Sequence, residues 1–184
     1  MAIDAFLQFT DTGGIATQLA GETQDSYFSK PKEGGPACFE LKNWSFGASN
    51  TATITSATMG AGAGKATFAP FNVTKMVDIA TPSLFKTLCI GGHYKTLTLW
   101  VRKSGGDQNT AGAPYLQWKF AMAFVQDVTW AHDDAGPTET VNFVYGAIKF
   151  TYKQQMTTGA IGASGNPETQ WSQVMNAAVF DVGA

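Results

Sequence analysis

The chain has 184 residues, of which 44% are apolar and only 14% charged, with a net charge of −2. That length suits one domain, 1–184, with a full hydrophobic core. The near-neutral charge offers no basic field for nucleic acid, and no run approaches the roughly 20 apolar residues that a membrane helix needs. Thr, Ser, Gln, Asn, Gly and Ala must cover most of the surface. Such a surface suits either contact with other subunits, whose centres are poor in charge, or a neutral polar monomer.

The chain opens Met1-Ala2-Ile3-Asp4-Ala5-Phe6-Leu7-Gln8-Phe9. This stretch has neither the positive start nor the long apolar run of a signal peptide. It predicts a short strand, a cytoplasmic protein, and export, if any, outside the general secretory route. A long loop follows from Gly13 to Pro36. Cys38 to Ala48 then places Phe39 and Leu41 in one phase and Trp44 and Phe46 in the other. A phase switch inside a strand predicts a bulge or bend. Ser49 to Gly64 is a second loop, and Ala66 to Val77 an imperfect strand.

Asp78 to Gly92 carries the end signals of one helix. Thr81 is placed as N-cap and Pro82 as the first helical residue. Gly91 or Gly92 supplies the left-handed stop. Leu84, Phe85 and Leu88 form the apolar stripe. Tyr94 to Lys103 is the next strand, and Ser104 to Pro114 the next loop.

The clearest alternation runs from Tyr115 to Val125. Leu116, Trp118, Phe120, Met122 and Phe124 fall on one face, with Gln117, Lys119, Ala121 and Ala123 on the other. This predicts a strand with one face in a core and one polar face toward solvent or a lumen. His132-Asp133-Asp134-Ala135-Gly136-Pro137 reads as a turn. The aromatic and β-branched Val141 to Tyr152 reads as its partner strand. Met156 to Pro167 is a loop, and Trp171 to Val182 a candidate closing strand. Many strands and one helix make a mainly β barrel or sandwich.

Little in the chain points to chemistry. Gly60-Ala61-Gly62-Ala63-Gly64-Lys65-Ala66 lacks the first glycine and the final Ser or Thr of a phosphate loop, and a strand follows it rather than a helix. Cys38 and Cys89 are far apart and signal neither a disulfide framework nor a zinc site. His93 and His132 have no companions in sequence that would complete a metal or catalytic set. Trp118 belongs with its apolar neighbours in a core rather than in a sugar site. The expectation is no catalytic residue, no metal and no cofactor.

Several segments together resemble the Hcp (hemolysin-coregulated protein) family of type VI secretion. They begin with Met1 to Leu7, Asn43-Trp44-Ser45-Phe46-Gly47 and Gly62-Ala63-Gly64-Lys65. Phe71-Asn72-Val73-Thr74-Lys75 followed by Asp78-Ile79-Ala80-Thr81-Pro82-Ser83-Leu84 is the most specific. Gly92-His93-Tyr94, Thr98 to Gly106 and Thr138 to Tyr152 continue in order. Thr10 to Pro36 is longer than the usual early segment, and Met156 to Glu168 matches poorly. The resemblance implies a phage-tail-tube-like β-barrel of two sheets with one flanking α-helix. It implies a non-enzymatic subunit of a six-membered ring. Rings stack into a tube that meets a spike protein at its tip and a sheath around it, carries effector proteins, and is secreted by the type VI machine.

Within that picture the loop after the Trp strand makes the contact between subunits. Thr53, Ile54, Thr55, Met59 and Lys65 are the candidate interface residues on this arm, and Gln117, Lys119 and Ala121 the candidate lumen-facing ones. A tube protein of another contractile injection system or of a phage tail, and a monomeric β-barrel ligand-binding module, are the alternative readings.

Overall fold

The computed structural model describes residues 3–11, 19–30, 36–55, 60–103, 113–154, 162 and 167–183. For residues 10, 11, 52–55 and 60–63 the backbone alone is described. The elements run β1 (Ile3–Asp11), β2 (Phe39–Leu41), β3 (Asn43–Thr55), β4 (Gly60–Met76), α1 (Thr81–Cys89), β5 (His93–Lys103), β6 (Leu116–Asp133), β7 (Gly136–Tyr152) and β8 (Glu168–Ser172). Thus the chain is mainly β with one short helix, as its alternation predicts. All strands belong to one antiparallel sheet in the order β2-β1-β5-β6-β7-β4-β3, with β8 on β7.

This sheet is one rather than two, and no ladder among the described residues closes it into a barrel. The chain makes the join instead. The end strands β2 and β3 are separated by Lys42 alone, so the two edges of the sheet must lie side by side. Lys42 donates its backbone N–H to Thr74 O at 2.8 Å across the gap. The phase switch between Leu41 and Trp44 therefore marks a passage from one edge of the sheet to the other.

Phe9, Phe71, Tyr94, Leu97, Leu99, Phe120 and Phe143 fill the interior. Rings meet edge to face, as between Phe9 and Tyr94 at 4.6 Å, or stack, as between Phe71 and Phe120 at 4.3 Å. Such pairs add about 0.5–1.5 kcal/mol each beyond area burial.

One rung inverts the alternation in three strands together. Met122 has φ +54°, and the core side passes from Phe120 to Ala123 and Val125. On β5 the interior takes both Tyr94 and Leu97, and on β7 both Tyr145 and Ile148. Met122 and Phe124 are thereby turned out of the core, contrary to the unbroken period expected from Leu116 to Phe124. Gly146 sits on the same rung because nothing larger fits. A Cβ there would lie 2.8 Å from Val182 Cγ1 and 3.1 Å from Val174 Cγ2, so the C-terminal segment packs directly on the backbone. The strand expected from Trp171 to Val182 is correspondingly short: β8 ends at Ser172 and turns follow.

Helix α1 begins one residue earlier than its end signals suggest. Ala80 is the N-cap and has no side-chain cap, while Thr81 lies inside the first turn. The C-terminus follows expectation. Gly91 has φ +65°, and Gly92 N–H reaches Thr87 O at 3.0 Å, a left-handed stop that glycine adopts without strain. The helix buries Thr81, Leu84 and Thr87 and leaves Phe85 exposed. Its tie to β5 is a hydrogen bond shared by Thr87 Oγ1 and Tyr94 Oη at 2.9 Å. Burial at this contact raises the Tyr94 pKa to about 12 despite that bond.

Candidate assembly surfaces and their supports

The segment expected to form a loop from Ser49 to Gly64 is largely a two-stranded arm. Thr53, Ile54 and Thr55 lie on β3 and pair with Gly62, Ala61 and Gly60 of β4. Met59 falls outside the described residues. Lys65 is exposed on β4. β4 pairs with β7 only from Phe71 to Met76. From Gly60 to Pro70, β4 pairs only with β3, and β3 is itself the last strand of the sheet. Among the described residues, no ladder therefore covers either outer edge of the arm. The eight residues of β4 beyond Phe68, from Gly60 to Thr67, span roughly 26 Å at strand spacing.

The arm is anchored where it leaves the body. Phe68 stacks on Tyr145 at 5.4 Å, and its N–H reaches Gln173 Oε1 at 3.4 Å. Between Lys42 and Lys75 the only charged residue is Lys65. An arm of this composition can be buried against a neighbour with little loss of ion hydration.

Gln117 and Lys119 are half-buried on the outer face of β6. Gln117 lies beside Thr151, and Lys119 beside Lys149. Lys149 Nζ in turn meets Glu168 at 2.7 Å. Ala121 differs from its two neighbours on that face. It is 7% exposed in the single subunit, between Thr96 and Ala147, so it offers a lumen almost no surface.

The other half of that face, over β1 and β5, is covered by residues around Phe28 and from Pro36 to Cys38. Phe28 stacks on Phe6 at 4.0 Å, and together with Cys38 and Trp100 these residues form a second, smaller core. Gln8 Nε2 donates to Pro36 O at 2.8 Å. Arg102 binds both Asp4, at 3.1 Å, and Asp25, and its guanidinium lies 5.1 Å from the centre of the Phe6 ring. Burial pushes the Asp25 carboxyl up. The hydrogen bond and charge of Arg102 and the N–H groups of Phe28 and Tyr27 outweigh that effect, and its pKa lies below the usual 3.8. The sequence marks this segment as long but gives no sign that it straps the sheet.

At the far end of β4 is a buried ionic junction. Lys75 Nζ is 2.5 Å from Glu139 Oε1 and 2.8 Å from Asp78 Oδ1, with side chains 3%, 0% and 11% exposed. Thr81 Oγ1 donates to Glu139 Oε1 at 2.7 Å and accepts the Asp78 N–H at 3.1 Å. This bond, rather than capping, explains Thr81. The junction ties the end of β4, the start of α1 and β7 together. Its members are the polar letters of the two most telling motifs, Lys75, Asp78 and Thr81 of one and Glu139 of the other. Neither charge is near in sequence to its partner across the sheet, so the pairing itself was not legible. Among the described residues, no group of His, Cys, Asp and Glu is arranged to hold a metal ion.

A mainly β sheet that curls on itself, carries one helix and extends a two-stranded arm has a tail-tube-like fold. The chain belongs to the Hcp family: the family model described as "Type VI secretion system effector, Hcp" matches residues 6–152. It is a type VI secretion tube protein, of a kind that self-assembles into hexameric rings and is structural rather than catalytic.

Solved structures agree in fold. One titled as a type six secretion system protein superposes with a TM-score of 0.77 at 24% identity, covering 96% of this chain and 99% of that one. Hcp1 from Salmonella typhimurium gives 0.67 at 21%, covering 97% and 100%. Secreted protein Hcp3 from Pseudomonas aeruginosa gives 0.53 at 21%, covering 88% and 96%. No curated protein matches. Among the described residues, no helix is long and apolar enough to cross a membrane.

Proposed function

We propose that the whole chain, 1–184, acts as one tube domain whose β3–β4 arm closes the six-membered ring. Thr53, Ile54, Thr55, Met59 and Lys65 are its contact residues. Stacked rings form the expelled tube, with a spike protein at the tip, a contractile sheath outside and effector proteins within. The protein waits in the cytoplasm until the machine fires, and no cofactor takes part.

The observation that carries this reading is the arm with two uncovered edges. An isolated two-stranded hairpin is marginal in water, and an open edge is a template for another chain. A closed ring needs a protruding element that meets a different surface on the next copy, with a rotation that returns on itself. The arm meets the first requirement.

Gln117 and Lys119 line the lumen in this reading. Small polar and flexible side chains there hold cargo loosely and release it. Ala121 is left out of the lining because its own subunit already covers it.

The test is the solution mass by light scattering after size exclusion. Six subunits supports the ring. A monomer that persists at high protein concentration rejects it.

A further inference from the structure

The sheet forks along one edge of β7. β4 pairs with that edge from Thr138 to Phe143, and β8 takes the same edge from Ala147 to Thr151. Gln173 fills the crotch of the fork. Its backbone N–H reaches Gly146 O at 2.9 Å, its Nε2 donates to Tyr145 O at 3.1 Å, and its Oε1 accepts the Phe68 N–H at 3.4 Å. Farther out the two branches part around a cavity of about 450 Å³. Among the described residues it is lined by Asn50, Gly64, Lys65 and Ala66 of the arm and by Trp171 and Asn176 on the other branch. A cavity of that size is in the range of small-molecule pockets.

The cavity is an open end of the interior rather than a dent in the outer face. Trp171 lies across from Ile148, which packs on the main core, so its ring is on the interior side. Ala66 pairs with Asn50 and is two residues from Phe68, whose ring stacks on buried Tyr145. Strand alternation puts Ala66 on the interior side too. The mouth of a β-barrel is a usual place for a ligand.

The lining is all donors and apolar surface. Trp171 Nε1–H is buried and has no hydrogen-bond partner. Buried donors nearly always have one, and an acceptor brought into the cavity would satisfy it. Lys65 is the one charged residue of the lining, and no carboxylate is among the described residues there. The amides of Asn50 and Asn176 can donate as well. Gly64, Ala66 and the Trp171 ring supply the apolar part. A phosphate is ordinarily met by a run of backbone N–H groups or several cations. One ammonium and one neutral N–H match a single carboxylate instead.

We propose that this fork binds a small monocarboxylate with an apolar body, its carboxylate taking the Trp171 N–H and the Lys65 ammonium. A ligand held this way ties the arm to the C-terminal segment. The site goes beyond the ring reading and does not need it: the solution mass tests the ring, and ligand bound per subunit tests the site.

The test is calorimetric titration of the full chain with benzoate. Saturable binding of one benzoate per subunit is expected, with a dissociation constant on the order of a millimolar or tighter. Benzyl alcohol, which keeps the ring and loses the charge, should bind at least about tenfold more weakly, the scale of a hydrogen bond to a charged group. Trp171→Phe, which keeps a ring and loses the N–H, should weaken benzoate by a similar factor. No saturable benzoate binding overturns the proposal. So does benzyl alcohol or inorganic phosphate that binds as well as benzoate, or Trp171→Phe protein that binds like the parent. Hydrogen exchange of the parent protein gives a readout that needs no variant. Benzoate should slow exchange at residues 64–68 and 171–176 together, and protection confined to any other part of the chain places the ligand elsewhere and overturns the assignment.

Discussion

The two ends of β4 are built on opposite principles. Around Lys75 the chain buries two carboxylates and an ammonium, bonds them to one another, to Thr81 and to backbone groups with Glu139 Oε2 left unpartnered, and fixes a helix to two strands. Around Gly60 it places almost no charge, pairs one strand with one other and, among the described residues, has no ladder on either outer edge. The first end is complete within one subunit; the second is not. Hence the residues that identify the family most specifically are ones that hold the subunit together, while the part that acts on neighbours has a plain sequence of Thr, Ala, Ser and Gly. A motif can thus name a protein without marking where it works.

The largest expected effect tests the open end. Deleting residues 49–64 should abolish ring formation, dropping the mass from six subunits to one, with the circular dichroism of the remaining sheet unchanged. Rings that survive the deletion would place the lateral contact elsewhere.

Next comes the closed end. Glu139→Ala leaves Lys75 buried without its nearest partner and should cost about 3–5 kcal/mol in urea unfolding. Replacing Lys75 and Glu139 together with Met and Leu should recover much of that loss, because both desolvation penalties disappear. A single variant as stable as the parent would show that the junction contributes little.

A smaller effect belongs to the strap. Arg102→Ala should cost about 1.5–3 kcal/mol, the range for hydrogen bonds to charged groups, and should speed hydrogen exchange between residues 19 and 30 before the rest of the sheet. The same clamp predicts a pH response. The folded-state pKa of Asp25 is below 3.8, so its contribution is fully present above that value and is lost as pH falls through the lower folded value. Exchange in the strap should be flat from pH 5 to 8 apart from the intrinsic rate, and should rise in acid below about pH 4. A rise near pH 6 would assign the control to another group.

The smallest stability effect is expected at the lumen. Gln117→Trp and Lys119→Trp should preserve the ring within about 0.5 kcal/mol and reduce cargo retention in pull-down. Ala121→Trp should behave differently and impair folding, because Ala121 is already enclosed. If all three variants merely unfold, Gln117 and Lys119 belong to the interior as well.

Much of the architecture was legible because period-two alternation is a local signal. The strands at Tyr94, Leu116 and Val141, the turn at His132 and the glycine stop of α1 all follow from neighbours in sequence. What the sequence hid is non-local. The left-handed backbone at Met122 reverses the pattern of β6 in step with β5 and β7, and nothing at Met122 itself announces it. Phe85 reads as core because it lies beside Leu84 and Leu88, yet the helix buries Thr81 and Thr87 on hydrogen bonds to other elements. The arm was readable as an extended contact element, but its two-stranded form depends on the register between Ala52 and Ala63. The strap depends on Phe28, Arg102 and Asp25 meeting across the fold.

Lys42 has a mechanical consequence. In an ordinary strand barrel the seam is a row of hydrogen bonds, and a load applied across it can unzip them one after another. Here the two edges of the sheet are consecutive in the chain, so a load that spreads them must stretch a peptide backbone. The Lys42 side chain adds a tie to Asp133 at 3.1 Å, between that join and the β6–β7 turn. A subunit driven forward inside a moving column would yield first along some other line, where only hydrogen bonds resist.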